Sequence, residues 1–138
     1  MSRVLILEDD NRYSSLLTYL LKEAGHEVLV AERTDAAMNA VEETPFDAVL
    51  VDQWLPESGE DGIHFIADLR RRGHRMGVVL LTALIPYDAE ERVNGLDVWK
   101  VMDKVNVESD HLLRVVEEAS EFTRLRDENG SPSAGTSR

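Results

Sequence analysis

No cysteine occurs anywhere in this sequence, which excludes a disulfide framework and any metal site built on thiolates. Long apolar runs are missing too. None approaches membrane-spanning length, and the first residues enter a strand-like pattern rather than a signal peptide. The expectation is a cytoplasmic chain with no membrane partner. Positive charge is scarce: 15 Lys and Arg stand against 27 Asp and Glu, a net charge of −12. That balance argues against direct nucleic-acid binding through a broad basic face. The one dense basic cluster, Arg70-Arg71-Arg72, falls at the end of a predicted helix. Cations suit the dipole there, so it reads as a capped, solvated helix end.

What is present is an ordinary globular mixture. Over 138 positions, 43% of residues are hydrophobic and 30% charged, enough for one domain with its own core. Val4–Leu7, Val28–Ala31, Ala48–Val51 and Val78–Leu81 are short, nearly continuous apolar runs, as expected of strands covered on both faces. A fifth strand is expected near Val98–Met102, where Lys100 interrupts the pattern. Helical stripes lie between the strands. Tyr13, Leu16, Leu17, Leu20 and Ala24 form the first, followed by Gly25 as a C-terminal cap. Thr34 or Asp35 is placed to cap a second helix through about Glu43. Ile63, Ile66 and Leu69 form a third, closed by Gly73, and Ala89, Val93 and Leu96 a short fourth. Ser109 or Asp110 starts the last, with Leu112, Val115, Val116, Ala119 and Phe122 on one face. There are no internal repeats. The domain is expected to span residues 1–126, with 127–138 a disordered tail or truncated linker. Alternation of five strands with five helices predicts an α/β fold, a doubly wound parallel sheet with helices on both faces.

In such sheets ligands bind outside the carboxyl ends of the strands. The first strand ends in Glu8-Asp9-Asp10, the third in Asp52, the fourth in Thr82, and the fifth leads to Lys104. Taken singly, each has a plain structural role. Asp10 can cap the first helix, Thr82 can close a strand, and Lys104 can be a solvated loop lysine. Asp52 fits such a role least, because it follows "AVLV" directly and an unpaired carboxylate at the edge of a core is costly. Together they make chemical sense. Asp9, Asp52 and a nearby carbonyl are hard oxygen ligands suited to Mg²⁺, and Thr82 and Lys104 suit the remaining oxygens of a phosphoryl group.

The ordered set "LILEDD", "FDAVLVDQWLP", "VVLLTA" and a lysine after the fifth strand resembles the receiver domain of two-component response regulators. Asp9, Asp52, Thr82 and Lys104 are separated by 43, 30 and 22 residues, as in that family. The resemblance covers residues 2–124 and implies a flavodoxin-like sheet of order 2-1-3-4-5. It also implies Asp52 as phosphoacceptor, with Thr82 as switch hydroxyl and Lys104 as phosphate-pairing cation. Mg²⁺ would be held by Asp9, Asp52 and the Trp54 carbonyl, with Glu8 acting through water. The implied partners are a sensor histidine kinase or histidine phosphotransfer protein and an unnamed output partner or effector domain. A homodimer is left open. On this reading the chain is a phosphoacceptor rather than an enzyme with its own substrate.

The pattern departs from the family in places. "PESGEDG" sets Gly62 about two residues further from Pro56 than is usual. Val105 stands where the lysine is normally followed by proline. Val101 occupies the aromatic switch position, with Trp99 two residues away and exchangeable with it by a register shift. Trp54 and Leu84 fall where the family flanks the path of hydrolytic water. Two rival readings use the same residues. A pseudo-receiver would be a phosphorylation-independent interaction module, which the intact acceptor set argues against. A haloacid-dehalogenase-type phosphohydrolase needs a second acid two residues after its nucleophile, where Trp54 stands.

Overall fold

The computed structural model describes residues 2–56, 61–83 and 89–129. Five strands, β1 (Arg3–Leu7), β2 (Glu27–Ala31), β3 (Ala48–Asp52), β4 (Gly77–Thr82) and β5 (Val98–Asp103), alternate with five helices. These are α1 (Asn11–Glu23), α2 (Thr34–Glu43), α3 (Gly62–Arg71), α4 (Ala89–Val93) and α5 (Ser109–Asn129). The strands form one parallel sheet in the order β2-β1-β3-β4-β5. This is the expected doubly wound topology.

The two-residue period of the strands divides the core in two. Leu5, Leu7, Val49, Val51, Val78 and Leu80 pack on one face with residues of α2 and α3. Val4, Ile6, Ala48, Leu50, Val79 and Leu81 pack on the other with α1 and α5. Because β1, β3 and β4 are covered on both sides, they read as unbroken apolar runs. No helix among the described residues is long and apolar enough to cross a membrane.

Local chemistry sets the helix ends. Asp10 caps α1, its side chain accepting from the Arg12 and Tyr13 N–H groups. Gly25 follows that helix at φ 95°, a conformation costly to any residue with a Cβ. For α2 the capping expectation shifts by a residue. Thr34 is the first helical residue, and the cap position belongs to Arg33, whose side chain makes no capping hydrogen bond. The last helix runs to Asn129, three residues past the expected boundary, and 130–138 lie outside the described residues.

The arginine cluster is not simply a solvated helix end. Arg71 and Arg72 pair with Asp68 and Glu42, but Arg70 turns inward. Its guanidinium donates to the carbonyls of Leu96 (2.7 Å), His74 (2.9 Å), Met76 (2.9 Å) and Asp97 (3.0 Å). Burial draws its pKa down to about 10. Arg70 thereby ties the end of α3 to the turn that links α4 to β5.

Strand β5 carries a bulge. Val98 pairs with Val78 and Lys100 with Val79, leaving Trp99 as the extra residue. Trp99 lies against Phe122 of α5, with ring centroids 5.1 Å apart. Val101 packs with Val98 against the α2–α3 core instead. The irregularity does not exchange the two positions; it sends the tryptophan to the opposite face.

Candidate functional site

The exits of β1, β3, β4 and β5 converge on a cavity of about 590 Å³. Glu8, Asp9, Asp52, Trp54, Thr82 and Lys104 all line it, so every expected site residue is brought to one place. Asp10 reaches its edge while capping α1. Leu84 lies outside the described residues, as do 57–60 of "PESGEDG".

Glu8 and Asp52 are buried, 2% and 5% exposed, which is unusual for two carboxylates in one pocket. Lys104 lies between them. Its Nζ donates to Glu8 Oε1 at 2.6 Å and to Asp52 Oδ2 at 3.4 Å. Asp52 Oδ1 accepts from the Trp54 N–H at 3.3 Å, and Glu8 Oε2 from the Asp10 N–H at 3.0 Å. The lysine has two further supports. Its N–H donates to the Thr82 carbonyl at 2.8 Å, registering β5 against β4. Its ammonium also lies 4.5 Å from the centre of the Tyr13 ring, a cation–π contact.

Lys104 meets this geometry through a turn that needs no proline. The Asp103 carboxylate accepts from the Val105 and Asn106 N–H groups at 2.9 and 3.3 Å and from the Asn106 side-chain amide at 2.7 Å. No cis peptide bond occurs among the described residues.

Burial and the neighbouring Glu8 raise the Asp52 pKa to about 7, more than the Lys104 charge can offset. Burial alone would lower Lys104, but hydrogen bonding to Glu8 and the charge of Asp52 outweigh it and raise the ammonium pKa. Five carboxylates, Glu8, Asp9, Asp10, Asp52 and Asp61, line the cavity against two cations, Lys104 and Arg92, which leaves it short of positive charge. Carboxylate oxygens of Glu8, Asp9 and Asp52 lie within 4.8 Å of one another. This all-oxygen donor set suits a hard divalent cation such as Mg²⁺, which takes one or two carboxylates and keeps several waters. The residues present fit the ion.

Sequence reasoning missed a second layer. Gln53 is buried; its amide donates to Asp61 Oδ2 at 3.1 Å and accepts from the Ile63 N–H at 3.0 Å. Arg92 of α4 pairs with Asp61. Both reach the same cavity. Tyr13 was visible only as part of an apolar stripe, and nothing in the sequence linked Asp61 to Arg92.

The model of the response regulator receiver domain matches residues 4–117 of this chain. The chain belongs to the response regulator receiver family. Relatives of this receiver domain include the phosphate regulon transcriptional regulatory protein PhoB of Escherichia coli. The two are 35% identical over 97 residues, covering 69% of this chain and 41% of PhoB. A response regulator receiver protein of Anaeromyxobacter is 31% identical, over 75% of this chain and 43% of its own length. A putative NtrX-like response regulator of Rickettsia bellii is 25% identical over 91% of this chain and 26% of its own. The receiver domain thus spans between a quarter and under half of these relatives. Among solved structures, the CheY-like receiver domain protein of Methanospirillum hungatei superposes with a TM-score of 0.82 at 19% identity, covering 91% of this chain and 98% of that one. The Francisella 1452 receiver domain gives 0.80 at 21% identity, covering 89% and 99%. At these identities the superpositions speak for the fold.

Proposed function

We propose that this receiver domain accepts a phosphoryl group on Asp52, with Mg²⁺, from a histidine kinase or histidine phosphotransfer protein. One observation supports this above the rest. Asp52 is a buried strand-end carboxylate that shares a cavity with Glu8, Asp9, Thr82 and Lys104.

In the proposed step a carboxylate oxygen of Asp52 attacks phosphorus in line. The new bond joins that oxygen to phosphorus, and the bond that breaks joins phosphorus to the donor's imidazole nitrogen. Lys104, held by Glu8 and braced by Tyr13, is placed to pair with phosphoryl oxygens as charge spreads onto them. Thr82, at the end of the adjacent strand, supplies a hydroxyl for a further oxygen. Mg²⁺, held by Asp9, Asp52 and the Trp54 carbonyl with Glu8 acting through water, would contribute divalent charge to offset both the acids and the phosphoryl group. No second acid stands at position 54, so the chain lacks the group a haloacid-dehalogenase-type hydrolase would use on its intermediate.

Incubation with a small acyl phosphate and Mg²⁺ should add one phosphoryl group to the intact mass. An unchanged mass, with the protein folded, would overturn the proposal and favour a phosphorylation-independent interaction module. Metal binding has its own readout. Millimolar Mg²⁺ should raise the melting temperature of the parent by several degrees, because an ion that binds only the folded state stabilises it. The rise should be much smaller in Asp9→Asn. An equal rise in both would mean general screening of charge.

A further inference from the structure

The acceptor cavity holds a second cation that the proposed phosphorylation does not use. Arg92 lines it together with Asp52, Thr82 and Lys104, and its guanidinium is paired with Asp61. Asp61 is the N-cap of α3 and has other donors. Its Oδ1 accepts from the His64 N–H at 2.8 Å and its Oδ2 from the Gln53 amide at 3.1 Å. Burial pushes its carboxyl up, yet the hydrogen bonds from Arg92 and His64 more than reverse this and hold it below the usual range. Without Arg92, Asp61 would still have a donor on each oxygen.

We propose that Arg92 is a phosphoryl-binding residue, held in reserve by Asp61 until Asp52 is phosphorylated. This rests on the reading of Asp52 as acceptor. A phosphoryl group brings close to two negative charges and three acceptor oxygens, against one charge on an aspartate that keeps other partners. A guanidinium fork matches two phosphoryl oxygens at once. The exchange therefore favours the phosphoryl group on both charge and geometry.

The exchange would move α4. That helix has only five residues; its small Ala89 is buried, while Val93 and, in the turn after it, Leu96 are only partly buried. The turn after it is fastened, because Arg70 holds the Leu96 and Asp97 carbonyls. Gly95 at φ 84° and Asp97 at φ 54° shape that fixed end. A pull on Arg92 is thus expected to swing α4 about its carboxyl end, with no large ring required at Val101.

Beryllofluoride with Mg²⁺ serves as the phosphoryl mimic, followed by ¹⁵N–¹H spectra of the full chain. The Arg92 Nε–H resonance should shift on binding, together with the amides around Asp52. Arg92→Gln should weaken mimic affinity by about tenfold, or about 1.4 kcal/mol, and Arg92→Lys should restore only part of it. Asp61→Asn, which keeps a capping side chain, should tighten binding several-fold by releasing Arg92. Combined with Arg92→Gln that gain should vanish. An unmoved Arg92 resonance while the amides around Asp52 respond would overturn this proposal alone, as would undiminished affinity in Arg92→Gln. Silence at Asp52 itself would overturn the acceptor reading and this proposal with it.

Discussion

Asp52→Asn is expected to melt several degrees higher than the parent near neutral pH without Mg²⁺, while gaining no phosphoryl mass from an acyl phosphate. Both effects come from one placement. Burial and Glu8 raise the Asp52 pKa to about 7 in the fold, against about 3.9 in an unfolded chain. Between those values the folded state binds more protons than the unfolded state, so the stability contribution of Asp52 falls as pH rises. The full shift corresponds to about 4 kcal/mol, which screening through the open cavity reduces to about 2 kcal/mol. Asparagine has no charge to bury and escapes this cost. The advantage should shrink as pH falls below about 7 and vanish only below about pH 3.9, where Asp52 is protonated in both folded and unfolded states. Saturating Mg²⁺ should narrow it from the other side by stabilising the parent. Thermal melts of both proteins across this pH range provide the check. A constant difference would remove Asp52 as the titrating group, and undiminished labelling of the variant would move the acceptor elsewhere.

Gly62→Ala should be among the most damaging single changes in the chain. A Cβ at position 62 would lie 2.3 Å from the Asp52 carbonyl oxygen and 2.8 Å from Val51 Cγ1. Neither can yield cheaply, since one is backbone at the end of a central strand and the other is core. The Gly62 N–H also donates to the Gln53 carbonyl at 2.9 Å, so the first turn of α3 is pinned against the exit of β3. Overpacking usually costs about 1–3 kcal/mol, and a clash with fixed backbone places this case at about 3 kcal/mol or above. Gly73→Ala is the comparison. At φ 89° it is strained, but its Cβ would meet nothing within 4 Å, for a cost of about 1 kcal/mol. Urea midpoints should separate the two variants clearly. Equal midpoints would mean that α3 does not approach Asp52 so closely. The fold therefore places a glycine against Asp52 even though "PESGEDG" sets it further along the chain.

The fold was legible because its signals are local. Apolar runs at Val4–Leu7, Ala48–Val51 and Val78–Leu81 mark strands by length and composition, and stripes such as Ile63, Ile66 and Leu69 mark helices by period. The cavity residues were legible because each sits just past a recognisable strand, where topology gathers them. Three features were not. Arg70 stands in the same charged run as Arg71 and Arg72, and only the backbone carbonyls it holds, of His74, Met76, Leu96 and Asp97, distinguish it. Lys100 marks β5 as irregular, but that Trp99 is the extra residue shows only once β4 is laid beside it. Asp61 and Arg92 are 31 residues apart with nothing in either segment to pair them. What sequence conceals in each case is a contact between elements.

A sheet edge offers unpaired N–H and C=O groups to any strand that comes alongside, including one from another molecule. Strand β5 is such an edge. The extra residue at Trp99 breaks the regular spacing of those groups near its beginning, and Lys100 adds a charge beside it. A second chain laid along this edge would find its register interrupted within the first three residues. Protection against edge-to-edge aggregation on this side is thus built into the strand that leads to Lys104. The opposite edge, β2, carries no such interruption in its pairing with β1, so the two edges of the sheet are guarded differently.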